Sequence, residues 1–183
     1  MKELFIPDDM FASYREVTPE FLRSVGVRAL LIDIDNTLAP YEVADPDGEI
    51  LAWFGSLSAA GISASLVSNN HPPRVERFAA PLGIPAYPDS KKPCRGTLLR
   101  AMEAMGVTAG ETAMLGDQIL TDCFAGKRIG ARAIILPPIR DKKNLFFRFK
   151  RWCERPFVRR YARRHGYREW MAFWRIRPRK ETK

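Results

Sequence analysis

The sequence predicts an α/β fold, a three-layer sandwich of helices around a parallel sheet. The first observation is a set of short apolar runs bounded by helix and strand breakers. These runs are 27–33, 61–68, 111–117 and 131–138, with a weaker one at 83–88. The second is that helix-like stretches of about ten residues lie between most of these runs, as βαβ units require. Strands connected in this way pair in parallel and are covered by helices on both faces.

Glycine follows each helical stretch, as its preference for the position just past a helix end predicts. The four residues are Gly61, Gly83, Gly106 and Gly130. Two prolines, Pro137 and Pro138, follow the last apolar run. We therefore expect a core domain over 1–138 and a separate tail over 139–183.

The two parts differ in charge. Residues 139–183 carry 17 Lys and Arg against 4 Asp and Glu, a net of +13, whereas residues 1–138 carry 13 against 17, a net of −4. Such a basic tail predicts an anionic partner. Three cysteines at unrelated spacings suggest neither a disulfide framework nor a metal site, and no signal peptide or membrane span is apparent. We expect a cytoplasmic protein.

Polar residues stand where three of the predicted strands end and before one helix. The four motifs are DIDNT at 33–37, SNN at 68–70, KKP at 91–93 and GDQILTD at 116–122. Because ligands of open parallel sheets bind beyond the carboxyl ends of the strands, we expect these motifs to meet in one site.

Phosphate-ester chemistry explains this combination of residues. A phosphate monoester dianion must be neutralised before it is attacked, and Mg²⁺ held by one or two carboxylates does this. Asp33 and Asp117 can supply those carboxylates. A carboxylate can also attack phosphorus, and Asp35 can then protonate the leaving oxygen and later activate water. Ser68, the backbone N–H of Asn69 and a lysine can hold the remaining phosphoryl oxygens.

In this order, the four motifs resemble those of haloacid dehalogenase (HAD) superfamily phosphatases. The resemblance implies that Asp33 is the nucleophile, that Asp35 is the general acid and base, and that Ser68 and Lys92 bind phosphate. We choose Lys92 over Lys91 because the lysine of the family commonly stands directly before proline. The resemblance also implies a parallel HAD-type, Rossmann-like sheet.

The same resemblance implies a metal site. Mg²⁺ would be bound by Asp33, Asp117 and the backbone carbonyl of Asp35. Thr37 and Asp122 would support these ligands from behind. For Asn70 we favour a structural role as a helix N-cap, for which Asn is well suited.

Over most of its length the chain resembles the YqeG-type branch of HAD subfamily IIIA, which is similar to mitochondrial and plastid phosphatidylglycerophosphate phosphatases. The supporting segments are PDDMF at 7–11, VTPEFL at 17–22, the run at 69–85 and the basic end. The resemblance implies a phosphomonoesterase that converts phosphatidylglycerophosphate to phosphatidylglycerol. Two alternatives stay open: a phosphatase of a soluble ester or nucleic-acid end, and an RNA- or ribosome-associated binding module.

Spacing predicts that the site has no cap domain. About thirty residues separate Asp35 from Ser68, and about two dozen separate Ser68 from Lys92. One helix and a turn fill each gap, so the site should be open. An open site suits a phosphate attached to something large, since lids usually exclude water from small substrates.

The tail has the pattern of a basic amphipathic helix. Apolar residues recur at helical spacing, namely Leu145, Phe149 and Trp152, with Val158 and Tyr161 further on. We expect Pro156 to interrupt the helix. Basic helices with Trp and Phe lie on anionic bilayers, which predicts peripheral attachment to the inner face of the membrane. Folding back on the core and binding nucleic acid are the alternatives.

Overall fold

The computed structural model describes residues 2–140 and 145–165. Within them, six strands form one sheet: β1 Asp9–Met10, β2 Ala29–Ile32, β3 Ser63–Val67, β4 Ala86–Tyr87, β5 Thr112–Gly116 and β6 Arg132–Ile135. Their order across the sheet is β1-β6-β5-β2-β3-β4, and every neighbouring pair is parallel. The predicted α/β class and parallel sheet are confirmed. The short edge strand β1 was not predicted.

Helices connect the strands. They are α1 Pro19–Ser24, α2 Gly48–Ala59, α3 Pro72–Ala79, α4 Gly96–Met105, α5 Phe124–Arg128 and α6 Leu145–His165. Shorter 3₁₀ turns lie at Lys2–Phe5, Tyr14–Glu16, Ala80–Leu82 and Ala109–Glu111, and a π-helical turn lies at Ile119–Cys123. The glycines at the four predicted helix ends all adopt the left-handed backbone conformation, with φ between 63° and 79°.

Alternating residues of the central strand β2 show the three layers. Leu30 and Ile32 belong to an apolar cluster that also contains residues of α1, α2 and α3. Leu31 points the other way, into a cluster with residues of α4 and α5. Because successive strand side chains face opposite sides, both faces of the sheet are buried, as a parallel sheet requires.

Helix α6 packs beside β6 at the end of the sheet that carries β1. Val158 and Tyr161 are buried in a cluster with Ile135 of β6 and Met10 of β1. The second half of α6 therefore docks on the core, which is one of the arrangements expected for the tail.

The expectation that Pro156 interrupts the tail helix was wrong, because α6 runs through it as one helix. Proline lacks the N–H that would bond to the carbonyl four residues earlier, here that of Trp152. Both Pro156 and Trp152 are exposed, so water can satisfy that carbonyl. The helix continues through Pro156 because this residue lies on the solvent-exposed side of α6.

The connections between the site motifs are short and contain no inserted domain. The segment between β2 and β3 holds α2 as its one helix, and the segment between β3 and β4 holds α3 and the turn Ala80–Leu82. These short connections agree with the expectation that the fold has no cap domain. In the part of the chain that the structure describes, no helix has the length and apolar character needed to cross a bilayer.

Candidate active site

The four motifs meet at the carboxyl ends of β2, β3 and β5. The central pair β2 and β5 is in register, so that Ile32 stands opposite Leu115 and the two strands end side by side. An open cleft at this edge is lined by Asp33, Asp35, Ser68, Asn69, Lys92 and Asp122, together with Tyr41, Asn70, Gln118 and Thr121. The structure thus brings the predicted site residues of all four motifs together.

Lys92 is the cationic centre of the site. Its side chain is buried, with Nζ 2.6 Å from Asp33 Oδ1, 2.8 Å from Asp122 Oδ1 and 2.7 Å from the carbonyl oxygen of Val67. Burial lowers the pKa of Lys92, but the two carboxylates raise it by more, so that the net pKa lies above its ordinary value. Lys91 is exposed. Of the two lysines that the sequence left to choose between, Lys92 is the one in the site.

Asp33 is held at the bottom of the cleft. Its Oδ1 accepts from Lys92, and its Oδ2 accepts a long hydrogen bond of 3.4 Å from Thr37 Oγ1. Burial raises the pKa of Asp33 to about 8, against the opposing charge of Lys92. A divalent cation beside the carboxylate would favour the ionised form that a nucleophile needs.

Asp35 lies in a different environment from Asp33. Its Oδ2 accepts from Asn70 Nδ2 at 3.0 Å, and its Oδ1 pairs with Arg74 at 3.3 Å. Arg74 also donates to the carbonyl oxygen of Ala44, so α3 is tied to the loop after β2. The interpretation of Asn70 as a helix N-cap was wrong: the N-cap of α3 is His71, and the amide of Asn70 orients Asp35.

The turn between β2 and α2 explains the asparagine of the first motif. Asn36 has a φ of 65°, a left-handed conformation that Asn adopts more readily than most residues. Its side-chain oxygen accepts from the backbone N–H of Arg140 at 3.3 Å. Asn36 therefore reverses the chain directly after the two aspartates and anchors it to the segment after β6.

Ser68 and Asn69 lie at the end of β3. Ser68 is buried, and its Oγ accepts from the backbone N–H of Asn70 at 3.1 Å. The side chain of Asn69 bonds the backbone N–H and carbonyl of Lys92, at 2.7 and 3.0 Å, and accepts from Ser90. Its amide therefore holds the lysine segment in place.

Three carboxylates form a buried acidic cluster that fits a divalent cation. One oxygen from each of Asp33, Asp117 and Asp122 lies within 4.8 Å of the others. Asp117 Oδ1 is buried and has no hydrogen-bond partner among the described residues. An unpaired carboxylate oxygen is costly in a protein interior unless a cation binds it. Oxygen donors of this kind suit Mg²⁺.

Gly116 allows the cluster to be this compact. A Cβ at this position would overlap the side chain of Asp122. Asp122 in turn accepts from the backbone N–H of Gln118 at 3.1 Å and closes the loop after β5. The glycine of the GDQILTD motif is therefore required by close packing around the carboxylates.

Sequence reasoning missed three residues that hold the aspartates in place. Asn70 and Arg74 bind Asp35, while Arg151 of α6 binds Asp117. The NN pair at the end of β3 was a usable signal, since one amide holds the lysine segment and the other Asp35. Arg151 had no such signal, because it stands among many arginines of the tail.

The chain has clear relatives. Residues 14–130 match the haloacid dehalogenase-like hydrolase family. The protein named "Probable phosphatase YqeG" of Bacillus subtilis is 32% identical over 170 residues, covering 93% of this chain and 98% of that protein. A chloroplastic protein of Chlamydomonas reinhardtii named phosphatidylglycerophosphate phosphatase 1 is 29% identical over 147 residues; the match covers 75% of this chain and 55% of the relative.

A solved structure supports the fold. An uncharacterized protein from Listeria monocytogenes superposes with a TM-score of 0.51 and 15% sequence identity, covering 64% of this chain and 85% of that one. Together with the family match over the residues that build the cleft, these similarities identify the chain. It belongs to the haloacid dehalogenase-like hydrolases and is a HAD-type phosphatase.

Proposed function

We propose that this phosphatase is a Mg²⁺-dependent phosphomonoesterase that dephosphorylates phosphatidylglycerophosphate through an aspartyl-phosphate on Asp33. The observation that carries the proposal is the convergence of Asp33, Lys92 and the acidic cluster in one open cleft. Lys92 and Ser68 are the phosphate-binding side chains of this proposal, joined by the backbone N–H of Asn69.

Asp33, Asp117 and the backbone carbonyl of Asp35 would hold the Mg²⁺, with Thr37 and Asp122 supporting them. When bound, the ion neutralises phosphoryl oxygens and keeps Asp33 ionised. Asp122 pairs with Lys92 and accepts from the backbone N–H of Gln118, and it keeps the supporting role that the family resemblance implies.

The reaction then follows from the two aspartates of the first motif. An oxygen of Asp33 attacks phosphorus, and the bond from phosphorus to the glycerol oxygen breaks. Asp35 gives its proton to that oxygen, so that the alcohol leaves neutral. In the second step Asp35 takes a proton from water, the water oxygen attacks phosphorus, and inorganic phosphate leaves with Asp33 restored. Asn70 and Arg74 hold Asp35 toward the cleft for both transfers.

A lipid substrate is supported by the open cleft and by the outward face of α6. We define this face by Leu145, Arg148, Phe149, Trp152, Arg155, Arg159 and Arg163. Its three apolar members are between 62% and 77% exposed. Among the described residues, none of its four arginines pairs with an acidic side chain.

Exposed aromatic rings flanked by arginine are typical of helices that lie in an anionic bilayer interface. Each Lys or Arg near such a surface contributes about 1 kcal/mol to binding. We propose that the outward face attaches the enzyme peripherally to the inner face of the membrane, where the phosphatase meets its lipid. The name of the Chlamydomonas relative supports the same substrate.

The test is phosphate release from phosphatidylglycerophosphate in mixed micelles, with Mg²⁺ and with EDTA. We expect turnover with Mg²⁺ and loss of activity with EDTA. Asp33→Asn should abolish turnover while the protein stays folded, because an amide cannot act as the nucleophile. Asp45→Asn is the matched control, since Asp45 is an exposed partner of Arg77 and takes no part in the proposed reaction steps.

Other outcomes would replace parts of the proposal. Full activity in Asp33→Asn would exclude the aspartyl-phosphate. Faster turnover of glycerol 3-phosphate or of a 5′-phosphorylated oligonucleotide would favour a soluble ester or a nucleic-acid end. Binding to RNA without hydrolysis of any ester would favour an RNA- or ribosome-associated module.

A further inference from the structure

Helix α6 places an arginine directly on a residue of the acidic cluster. The guanidinium of Arg151 donates from Nη2 to Asp117 Oδ2 and from Nη1 to the backbone carbonyl oxygen of Asp117, at 2.6 Å for the second bond. The side chain of Arg151 is only 14% exposed. One arginine therefore binds both the side chain and the main chain of the same aspartate.

Neighbouring residues of α6 hold the same loop. Glu154 is fully buried; its Oε2 pairs with Arg151 at 2.9 Å, and its Oε1 accepts from the backbone N–H of Leu120 at 3.2 Å. Lys150 donates to the side-chain oxygen of Gln118. Three residues within five positions of the helix thus contact the loop that follows β5.

The two oxygens of Asp117 face different groups. Oδ2 binds Arg151, whereas Oδ1 is buried without a hydrogen-bond partner among the described residues. The carboxyl groups of Asp33 and Asp122 lie close by, and in their ionised form they would repel a carboxylate that was free to rotate. Because the guanidinium binds both Oδ2 and the main-chain oxygen of Asp117, it restricts the orientation of the carboxylate as well as its position.

We propose that Arg151 is a positioning residue that aims Asp117 at the metal, so that α6 forms part of the active site. The proposal rests on the proposed function, because it requires that the acidic cluster binds Mg²⁺. Partners of this kind orient metal ligands, and their loss typically weakens metal binding by about 10–100-fold.

The choice of cation separates positioning from general support of the fold. Mg²⁺ demands near-ideal octahedral geometry, whereas Ca²⁺ accepts irregular coordination by more ligands. A misaimed Asp117 therefore weakens Mg²⁺ binding more than Ca²⁺ binding. A loss of structure around the cluster weakens both equally.

The test is the binding of Mg²⁺ alone and of Ca²⁺ alone, measured by isothermal titration calorimetry on the full chain. Arg151→Met should raise the Kd for Mg²⁺ by about 10–100-fold, and the Kd for Ca²⁺ by less. Arg151→Lys keeps the charge but loses the paired donors of the guanidinium. Its Kd for Mg²⁺ should lie between those of the wild type and Arg151→Met. Arg160→Met is the matched control, because Arg160 is an exposed arginine of the same helix that pairs with Glu3 and not with the acidic cluster; it should leave both constants unchanged.

A second variant keeps the test decisive if Arg151→Met does not fold. Glu154→Gln keeps the acceptor for Leu120 but weakens the hold on Arg151, and it should raise the Kd for Mg²⁺ by a smaller factor. An unchanged or lower Kd for Mg²⁺ in the folded Arg151 variants, or equal losses for both cations, would overturn the positioning role. If the wild type itself did not bind Mg²⁺, the proposed metal dependence would fail first, and this inference with it.

Discussion

The inward and outward faces of α6 contain the same residue types in opposite situations. Inward, Arg151 lies between the carboxylates of Asp117 and Glu154 with little of its side chain exposed, and Val158 and Tyr161 are buried against the core. Outward, arginines and large apolar side chains are both exposed to solvent. One helix thus contacts the candidate active site with one face and exposes the other to solvent.

The difference shows that the charge of the tail does not have a single purpose. A buried guanidinium requires a specific anionic partner, because an unpaired charge is very costly away from water. The exposed arginines stay hydrated, and they can attract an anionic surface without a fixed geometry. Sequence composition does not distinguish the two kinds of arginine, whereas their burial in the structure does.

The largest effect on stability should come from truncating the inward face. Tyr161 is 4% exposed and packs among apolar side chains of the core. Tyr161→Ala should lower the free energy of unfolding by about 3 kcal/mol, the order of loss for a large buried aromatic residue. Urea unfolding would measure it. Trp152→Ala, an aromatic truncation on the outward face, should change the value by less than about 0.5 kcal/mol; equal losses would contradict the assignment of the faces.

Removing an aromatic ring from the outward face should weaken membrane binding and not stability. Burying a large apolar side chain contributes about 1.5–3 kcal/mol, so Phe149→Ser should weaken binding to phosphatidylglycerol vesicles by about tenfold or more. Vesicle sedimentation would measure the partition coefficient. Leu99→Ser serves as control, since Leu99 is an exposed apolar residue of α4. If Leu99→Ser weakened binding as much, the outward face would not be the membrane-binding surface.

Removing one outward charge should have a smaller effect. Arg159→Gln should lower affinity for the same anionic vesicles by about fivefold, following the contribution of about 1 kcal/mol for each basic residue. Neutral phosphatidylcholine vesicles provide the comparison, and there the variant should match the wild type. Raising the salt concentration should reduce the difference, because exposed charges are screened. If the difference in affinity between the variant and the wild type depended neither on lipid charge nor on salt, it would be inconsistent with electrostatic attraction.

The smallest effect should come from the contact between α6 and the N-terminus. Arg164 donates to Glu3, and this hydrogen bond is the main cause that lowers the pKa of Glu3 below its ordinary value of 4.5. A carboxylate with a lowered pKa stabilises the folded state above its unfolded pKa, and this contribution is lost as pH falls. The wild type should therefore be slightly more stable than Glu3→Gln at pH 7, and the melting temperatures should converge below about pH 4.5. A constant gap down to pH 3 would exclude this linkage.

Much of the fold and site followed from local pattern. The buried strands and their polar ends were recognisable because β2, β3, β5 and β6 bury apolar side chains on both faces, as strands of a covered parallel sheet do. Lys92 was chosen over Lys91 because the lysine of the HAD superfamily commonly stands directly before proline, and the structure buries Lys92 in the cleft. β1 could not be recognised, because two residues show no periodicity and their pairing with β6 is a long-range contact.

The residues that were missed act across the fold. Arg74 approaches Asp35 from the first turns of α3, and Arg151 stands 34 residues after Asp117 in a different element. No spacing rule connects such pairs, since the packing of helices on the sheet decides which arginine is buried. The same reason explains why the effect of Pro156 was predicted wrongly. The helix tolerates this proline because it lies on the side of α6 that faces water.

The central claim is that α6 serves the site with one face and a lipid surface with the other. The direct measurement is phosphate release by the wild type and by Phe149→Ser/Trp152→Ser on two substrates with the same head group. One is long-chain phosphatidylglycerophosphate in anionic vesicles, and the other is a short-chain form dissolved as a monomer. We predict that the double variant loses most of its activity on vesicles and keeps it on the monomer. Equal activity of the two proteins on vesicles, or equal loss on both substrates, would contradict the account.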